Sequence, residues 1–178
     1  MNVFELCLDV TIRPCRRGDL RKLEWYGLYW AHRELIAEAF ERQQRDEVLM
    51  LVADANAYPI GQVWIDFTKK RASSIGVLWA LRVHQIFWRK GVARRLIIAA
   101  EQALIARGFD FVELGVEHDN FRARSLYQQL GFEYVGEERE EVSWRRPDGR
   151  EMSETIEQWL LRKPLDRSAQ KDLLVRSG

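Results

Sequence analysis

Three β-type runs follow one another between Glu47 and Val83, and this succession restricts the fold more than any other feature of the chain. "EVLMLVADA" and "IGQVWIDFTK" are joined by the turn-like stretch Asn56-Ala57-Tyr58-Pro59 and read as a hairpin. "SIGVLWALRV" comes after the polar loop Lys69 to Ser74 as the third strand of a meander. A sheet this apolar has to bury its faces against other elements, so helices are expected to cover it.

The rest of the chain supplies those helices. Val10 to Arg13 reads as a first strand with Pro14 at its end, and Asp19 as the cap of a helix running toward Trp25. Leu35, Ile36, Ala39 and Phe40 form one stripe of a helix from about His32 to Arg45. After the meander, Val92, Leu96, Ala99, Ala100 and Ala103 fall near helical spacing from Gly91 onward, and Gly108 is placed to end that helix. "FVELGV" is a short strand. Asn120 then precedes a helix with Ala123, Leu126, Tyr127 and Leu130 on one face, stopped by Gly131. "FEYVGEEREEVSW" and "EMSETIEQWLLRK" flank the turn "RRPDG". This order predicts an α+β fold, an α/β/α sandwich whose central sheet is mixed and mostly antiparallel, with helices on both faces. At 178 residues and 47% apolar, one domain over residues 1–165 with a polar tail over 166–178 is expected.

Several function classes lack support. Lys plus Arg (28) nearly balances Asp plus Glu (27), which argues against a chain built to coat nucleic acid. The N-terminus "MNVFELCLDV" has no basic segment before an apolar one, and no run approaches the ~20 apolar residues of a membrane span, so a cytoplasmic protein without a membrane partner is expected. Cys7 and Cys15 show no CxxC spacing, and His32, His84 and His118 stand singly, so no metal site is expected. GxSxG, GxGxxG and GxxxxGK[ST] patterns do not occur. What does stand out is "FWRKGVARRL", which sets Arg89, Lys90 and Arg94 around Gly91 at the mouth of a helix. Unpartnered N–H groups and the helix dipole make such a turn a cradle for an anion, phosphate first; the bland alternative is a solvated basic face.

"NFRARSLYQQLGF", Asn120 to Phe132, fits the pattern NxxAxxLYxxxGF at six specified positions. It resembles a block characteristic of the GNAT superfamily, the acyl-CoA-dependent N-acetyltransferases. The basic turn resembles that family's pyrophosphate turn, Q/R-x-x-G-x-G/A, with Gly91 and Ala93 at the small positions and Trp88 where Gln or Arg is usual. The likeness spans roughly Val10 to Leu165. It implies acetyl-CoA as the cofactor, held by Arg89, Lys90, Gly91, Val92, Ala93 and Arg94 at its phosphates. Leu81 and Val83 would lie beside pantetheine and Asn120 near the cofactor or capping its helix. Trp88 would either stack on adenine or plug the turn from beneath.

The same resemblance implies transfer of an acetyl group to a primary amine of a small molecule or peptide, by direct attack through a tetrahedral intermediate. Val83 N–H would meet the oxyanion and Tyr127 the departing thiolate. A lysine-like amine, with a pKa of ~10.4, must first lose a proton. Glu113 and Glu117 flank the end of "FVELGVEHDN" with His118 adjacent, and alternation puts 113, 115 and 117 on one face; Glu113 ranks first as the base, with Glu24 and Asp66 as substitutes. Trp25, Tyr26, Tyr29 and Trp30 are candidates for the wall of an amine pocket, or for packing against the sheet. A non-catalytic acyl-CoA-binding sensor is the alternative reading, and a homodimer is compatible with either.

Overall fold

The computed structural model describes residues 7–166. The expected tail therefore lies, apart from Asp166, outside the described residues. The strands are β1 (Thr11–Pro14), β2 (Val48–Ala55), β3 (Tyr58–Lys70), β4 (Ile75–Val83), β5 (Phe111–Glu117), β6 (Glu133–Arg145) and β7 (Glu151–Pro164). They form one seven-stranded sheet in the order β1-β2-β3-β4-β5-β7-β6. Every neighbouring pair is antiparallel except β4 and β5. The hairpin turn is tighter than its sequence suggested. Asn56 and Ala57 both take positive φ (52° and 60°), a two-residue connection whose twist matches the strands, and Tyr58 and Pro59 already belong to β3.

Helices cover both faces, as the α/β/α reading expects. On one face α1 (Arg33–Gln44) sets Ile36, Ala39 and Phe40 against Val48, Met50, Val52 and Trp64. On the other, α2 (Val92–Ala106) sets Leu96, Ile97, Ala100 and Leu104 against Leu51, Val63, Ile65 and Leu78, and α3 (Phe121–Gln129) adds Tyr127 to the same core.

The segment from Asp19 to Trp25 is not the helix expected. It makes short 3-10 turns, Arg17–Asp19 and Lys22–Glu24, and then Trp25, Tyr26 and Gly27 take positive φ in succession. The contacts of two side chains, Asp19 and Trp25, outweigh local propensity here. Asp19 is buried (4% exposed) and accepts from Arg13 Nη1 and Nη2 at 2.7 and 2.9 Å and from Arg16 N–H at 2.8 Å. Trp25 turns into the core, where its indole N–H donates to the Pro59 carbonyl at 2.8 Å.

The centre of the sheet holds an irregularity that shapes everything near it. β4 pairs with β5 only from Ile75↔Phe111 to Leu78↔Leu114, although both strands continue beyond that point. At the same level β4 carries one extra residue against β3: Gln62 and Trp64 face Arg82 and Trp79, and Ala80 takes φ 50°. This bulge reverses the strand's alternation. Ahead of it, the Ser74 carbonyl accepts from Asp110 and Phe111 N–H, so even-numbered peptide groups face β5. Past it, His84 N–H donates to the Ile60 carbonyl, so even-numbered groups face β3 and those of Leu81 and Val83 face the opening gap.

Burial would push the Asp19 carboxyl up, but the bonds from Arg13 and Arg16 outweigh it and hold the group below the usual carboxylate range. A carboxylate so depressed stabilises the fold above its unfolded pKa, and that contribution is lost as pH falls through the folded value. Asp19→Asn is therefore expected to lower unfolding free energy by about 1–3 kcal/mol near neutral pH. The difference from wild type should shrink as pH falls below about 4, which urea denaturation at a series of pH values would read.

Candidate active site

A cavity of about 640 Å³ runs along the α1 side of the sheet, between α1 and the β6–β7 hairpin, and reaches into the gap between β4 and β5, so that residues of both faces line it. Leu81, Ala123, Asn120 and Tyr127 line its α3 side; Trp79, Arg82, Glu117, Glu138, Trp144 and Gln158 line its α1 side.

On the α3 side β4 runs on from the cavity toward the turn that starts α2. Leu81 lines the cavity itself, whereas Val83 lies outside it, toward the turn. Gly91 is the N-cap of α2 at φ 80°, and Arg89 also has positive φ, 61°. A Cβ on Gly91 would meet nothing within 4 Å, so glycine is required here by the left-handed backbone and not by crowding. Val92 points its side chain into the core, leaving backbone N–H groups at the helix mouth. Arg89, Lys90, Arg94 and Arg95 are exposed and have no ion-pair partner among the described residues.

Trp88, in place of the usual polar residue, is 49% exposed and neither buried beneath the turn nor free of it. Its indole N–H donates to the Val83 carbonyl at 2.6 Å, which pins the turn to the end of β4. The guanidinium of Arg122, at the start of α3, lies 4.5 Å over its ring. Asn120 caps α3, its Oδ1 accepting from Ala123 N–H at 3.1 Å. Tyr127 is 7% exposed, and burial pushes its phenol up to about 12. Its hydroxyl has no hydrogen-bond partner among the described residues, so it keeps its proton and can donate it within the cavity.

The α1 side departs from the sequence reading in two respects. Glu113 is 1% exposed, with Oε1 paired to Lys70 and Oε2 held by Arg162 Nε and Nη2 at 2.9 and 2.6 Å. Asp66 is bound by Arg42 at 2.7 Å and by Thr68 and Lys69 N–H, and these bonds overcome burial to hold it below the usual carboxylate range. Glu24 is chelated by Arg33 at 2.7 and 2.8 Å and does not line the cavity. Glu113, Asp66 and Glu24 are thus all committed to cations. The cavity carboxylates without a cation partner among the described residues are Glu117, Glu138 and Glu154.

The aromatic cluster is also spent elsewhere. Trp25 is core, Tyr26 is 90% exposed and stacks on Tyr58, Tyr29 lies 4.2 Å beneath Arg82, and Trp30 sits near Arg146. None of the four lines the cavity, whose aromatic lining is His32, Trp64, Trp79 and Trp144 on the α1 side and Tyr127 on the α3 side. Trp144 arrives from the long β6–β7 hairpin and rests its ring 5.4 Å from His32. Arg122, Glu138, Gln158 and Trp144 escaped the sequence reading. The even-numbered alternation of Glu138, Glu140, Val142 and Trp144 along β6 was the signal that could have found the last of these.

Residues 19–132 match a family model described as the acetyltransferase (GNAT) family. An acetyltransferase of Pectobacterium atrosepticum is 36% identical over 90 residues, which are 51% of this chain; the match spans 61% of that relative's length. Among solved structures, the ribosomal-protein-alanine N-acetyltransferase of Brucella melitensis superposes with a TM-score of 0.68 at 19% identity, covering 87% of this chain and 99% of that one. The PaiA N-acetyltransferase of Thermoplasma acidophilum, in complex with coenzyme A, superposes with a TM-score of 0.66 at 18% identity, covering 88% and 99%. At these identities the structural likeness is one of fold.

Acetyl-CoA is expected to raise the melting temperature, by an amount that falls with added salt. Gly91→Glu, in protein shown to be folded by circular dichroism, should abolish that shift, and Arg122→Ala should weaken binding severalfold in calorimetric titration.

Proposed function

The chain belongs to the acetyltransferase (GNAT) family, and from that premise we propose that it transfers an acetyl group from acetyl-CoA to a primary amine of a small molecule or peptide. The observation that carries this reading is the cavity through the β4–β5 gap. β4 leads from it to the exposed cations at the start of α2, Tyr127 lines it on the α3 side, and carboxylates gather on the other side. Two reactants can thus meet through the sheet from opposite faces.

The residues fit the acyl donor. The first N–H groups of α2 with Arg89, Lys90 and Arg94 would hold pyrophosphate, and Arg122 adds charge that Trp88 lacks. The gap-facing peptide groups of Leu81 and Val83 would run beside pantetheine. The Val83 carbonyl is already taken by Trp88, which leaves the N–H groups of both residues as donors. Leu81, which lines the cavity, is better placed than Val83 to meet an oxyanion.

Direct attack by the neutral amine on the thioester carbonyl forms the C–N bond and a tetrahedral intermediate. Its collapse breaks the C–S bond, and Tyr127 supplies a proton to the departing sulfur. A phenol raised to about 12 holds its proton near neutral pH, so it is present as a donor when the sulfur departs. The acceptor would enter from the α1 face, between His32, Trp79 and Trp144.

Thiol release from acetyl-CoA, screened against polyamines, aminoglycosides, amino acids and peptide N-termini, tests the reading. Tight acetyl-CoA binding without turnover across the panel would favour the sensor alternative. With an acceptor in hand, Tyr127→Phe is expected to lower kcat by roughly 10- to 100-fold while leaving acetyl-CoA affinity within about threefold, since the ring still packs and thiolate is already a good leaving group. Steady-state kinetics beside a measured Kd would separate the two effects; unchanged kcat with chemistry rate-limiting would strip Tyr127 of the role.

A further inference from the structure

The proposed reaction lacks a base, because Glu113 and Asp66 are held in ion pairs. The cavity itself narrows the choice. Leu114 and Val116 point into the α2/α3 core, so Gly115 and Glu117 face the α1 side. Gly115 is the first residue of β5 beyond its last pair with β4, Leu78↔Leu114, and therefore marks the apex of the gap.

A glycine inside a strand weakens it unless something needs the space. Here the space is filled: a Cβ on Gly115 would lie 2.1 Å from Gln158 Oε1 and 2.2 Å from its Cδ. Gln158 on β7 thus leans across the apex on the acceptor side. Its Nε2 in turn donates to Glu138 Oε2 at 3.2 Å, and Glu138 is its direct cross-strand partner on β6.

The other carboxylates are placed less well. Glu140, the next on that face of β6, is paired to Lys69 at 3.0 Å. Glu154 lies opposite Val142, farther along the hairpin, and Glu117 is exposed at the end of β5, about 7 Å of strand beyond Gly115. Glu138 is half-buried, lines the cavity, and is tied through one amide to its apex.

We infer that Glu138 is the general base for the acceptor amine and that Gln158, seated on Gly115, is the residue that positions it. This rests on the acetyl-transfer reading above. The Glu138 carboxylate takes one proton from the ammonium, and the resulting amine lone pair attacks the thioester carbonyl. The C–N bond forms, the C–S bond breaks, and the sulfur leaves with the proton from Tyr127. The second amine proton returns through solvent to the phenolate, and Glu138 releases its own to solvent. Amide, thiol and one proton are the products.

The test is the pH dependence of kcat/KM for any amine found in the thiol-release screen. Glu138→Gln should lower kcat by about 10²- to 10³-fold near neutral pH, within the usual range for general base catalysis. The deficit should close as pH approaches the amine's own pKa, ~10.4 for a lysine-like acceptor, because the amine then arrives deprotonated. Gln158→Ala should lower kcat severalfold with the amine KM little changed, and Glu117→Gln should keep the wild-type profile. Acetyl-CoA affinity, measured alongside, should be unmoved in all three.

A Glu138→Gln enzyme with wild-type kcat, with a loss equal at every pH, or with alkaline recovery seen in Glu117→Gln instead, overturns the assignment. Glu138→Asp guards against a folding artefact: it should retain more activity than Gln at neutral pH, and no difference between the two overturns the assignment as well. Wild-type protein that binds acetyl-CoA yet releases no thiol with any amine would remove the transfer reading and this assignment together.

Discussion

The rest of the structure depends on where β4 and β5 stop pairing. A parallel pair at the centre of a sheet would ordinarily bond along its whole length, and an unpaired buried N–H costs about 1–3 kcal/mol. Here the ladder ends at Leu78↔Leu114, and the bulge at Ala80 turns the peptide groups of Leu81 and Val83 toward the opening in place of β3. Backbone donors are thereby left for something other than the sheet. The Trp88 indole occupies the Val83 carbonyl, which reduces the cost without closing the gap. The antiparallel pairs on either side, β3 with β4 and β5 with β7, hold the opening from both flanks.

Charge is distributed to match. Carboxylates in the sheet and packed beside it are bound by cations: Asp19 and Asp54 by Arg13, Asp66 by Arg42, Glu113 by Lys70 and Arg162. Buried unpaired charge is strongly disfavoured, so these pairs are what allows such residues to remain in the interior. Around the cavity, Arg82 apart, the charges without an ion-pair partner among the described residues are separated by sign. Cations collect at the α2 start and carboxylates on the β6–β7 side. The opposite signs suit a polyanionic acyl donor on one face and a cationic amine on the other.

What the sequence made legible was local. The α3 block, the glycine turn into α2 and the hairpin of β2 and β3 each depend on residues close together in the chain, and each lies where its pattern placed it. What it hid was set by distance. Glu113 looked like a base because its alternation was right, but Arg162, which binds it, lies 49 residues away on β7. Trp25 looked like a pocket wall because it sits among aromatics, but the Pro59 carbonyl, 34 residues on, draws it inward. The bulge at Ala80 leaves no mark in "SIGVLWALRV", since an alanine with positive φ is imposed by its neighbours and not by its own preference.

The replacement at position 88 shows how one such distant contact changes the meaning of a motif. A polar residue there would face the phosphates directly, and Trp88 cannot. Its ring instead supports the Arg122 guanidinium at 4.5 Å, while its N–H fixes the end of β4. On the proposed reading the cation for the phosphates would come from α3, while the turn is fastened to the strand that bears the gap-facing N–H groups. On the reading proposed above, binding of the acyl donor's phosphates and placement of its thioester would be linked through one indole. The departure from the pattern moves a charge from one element to another without removing it.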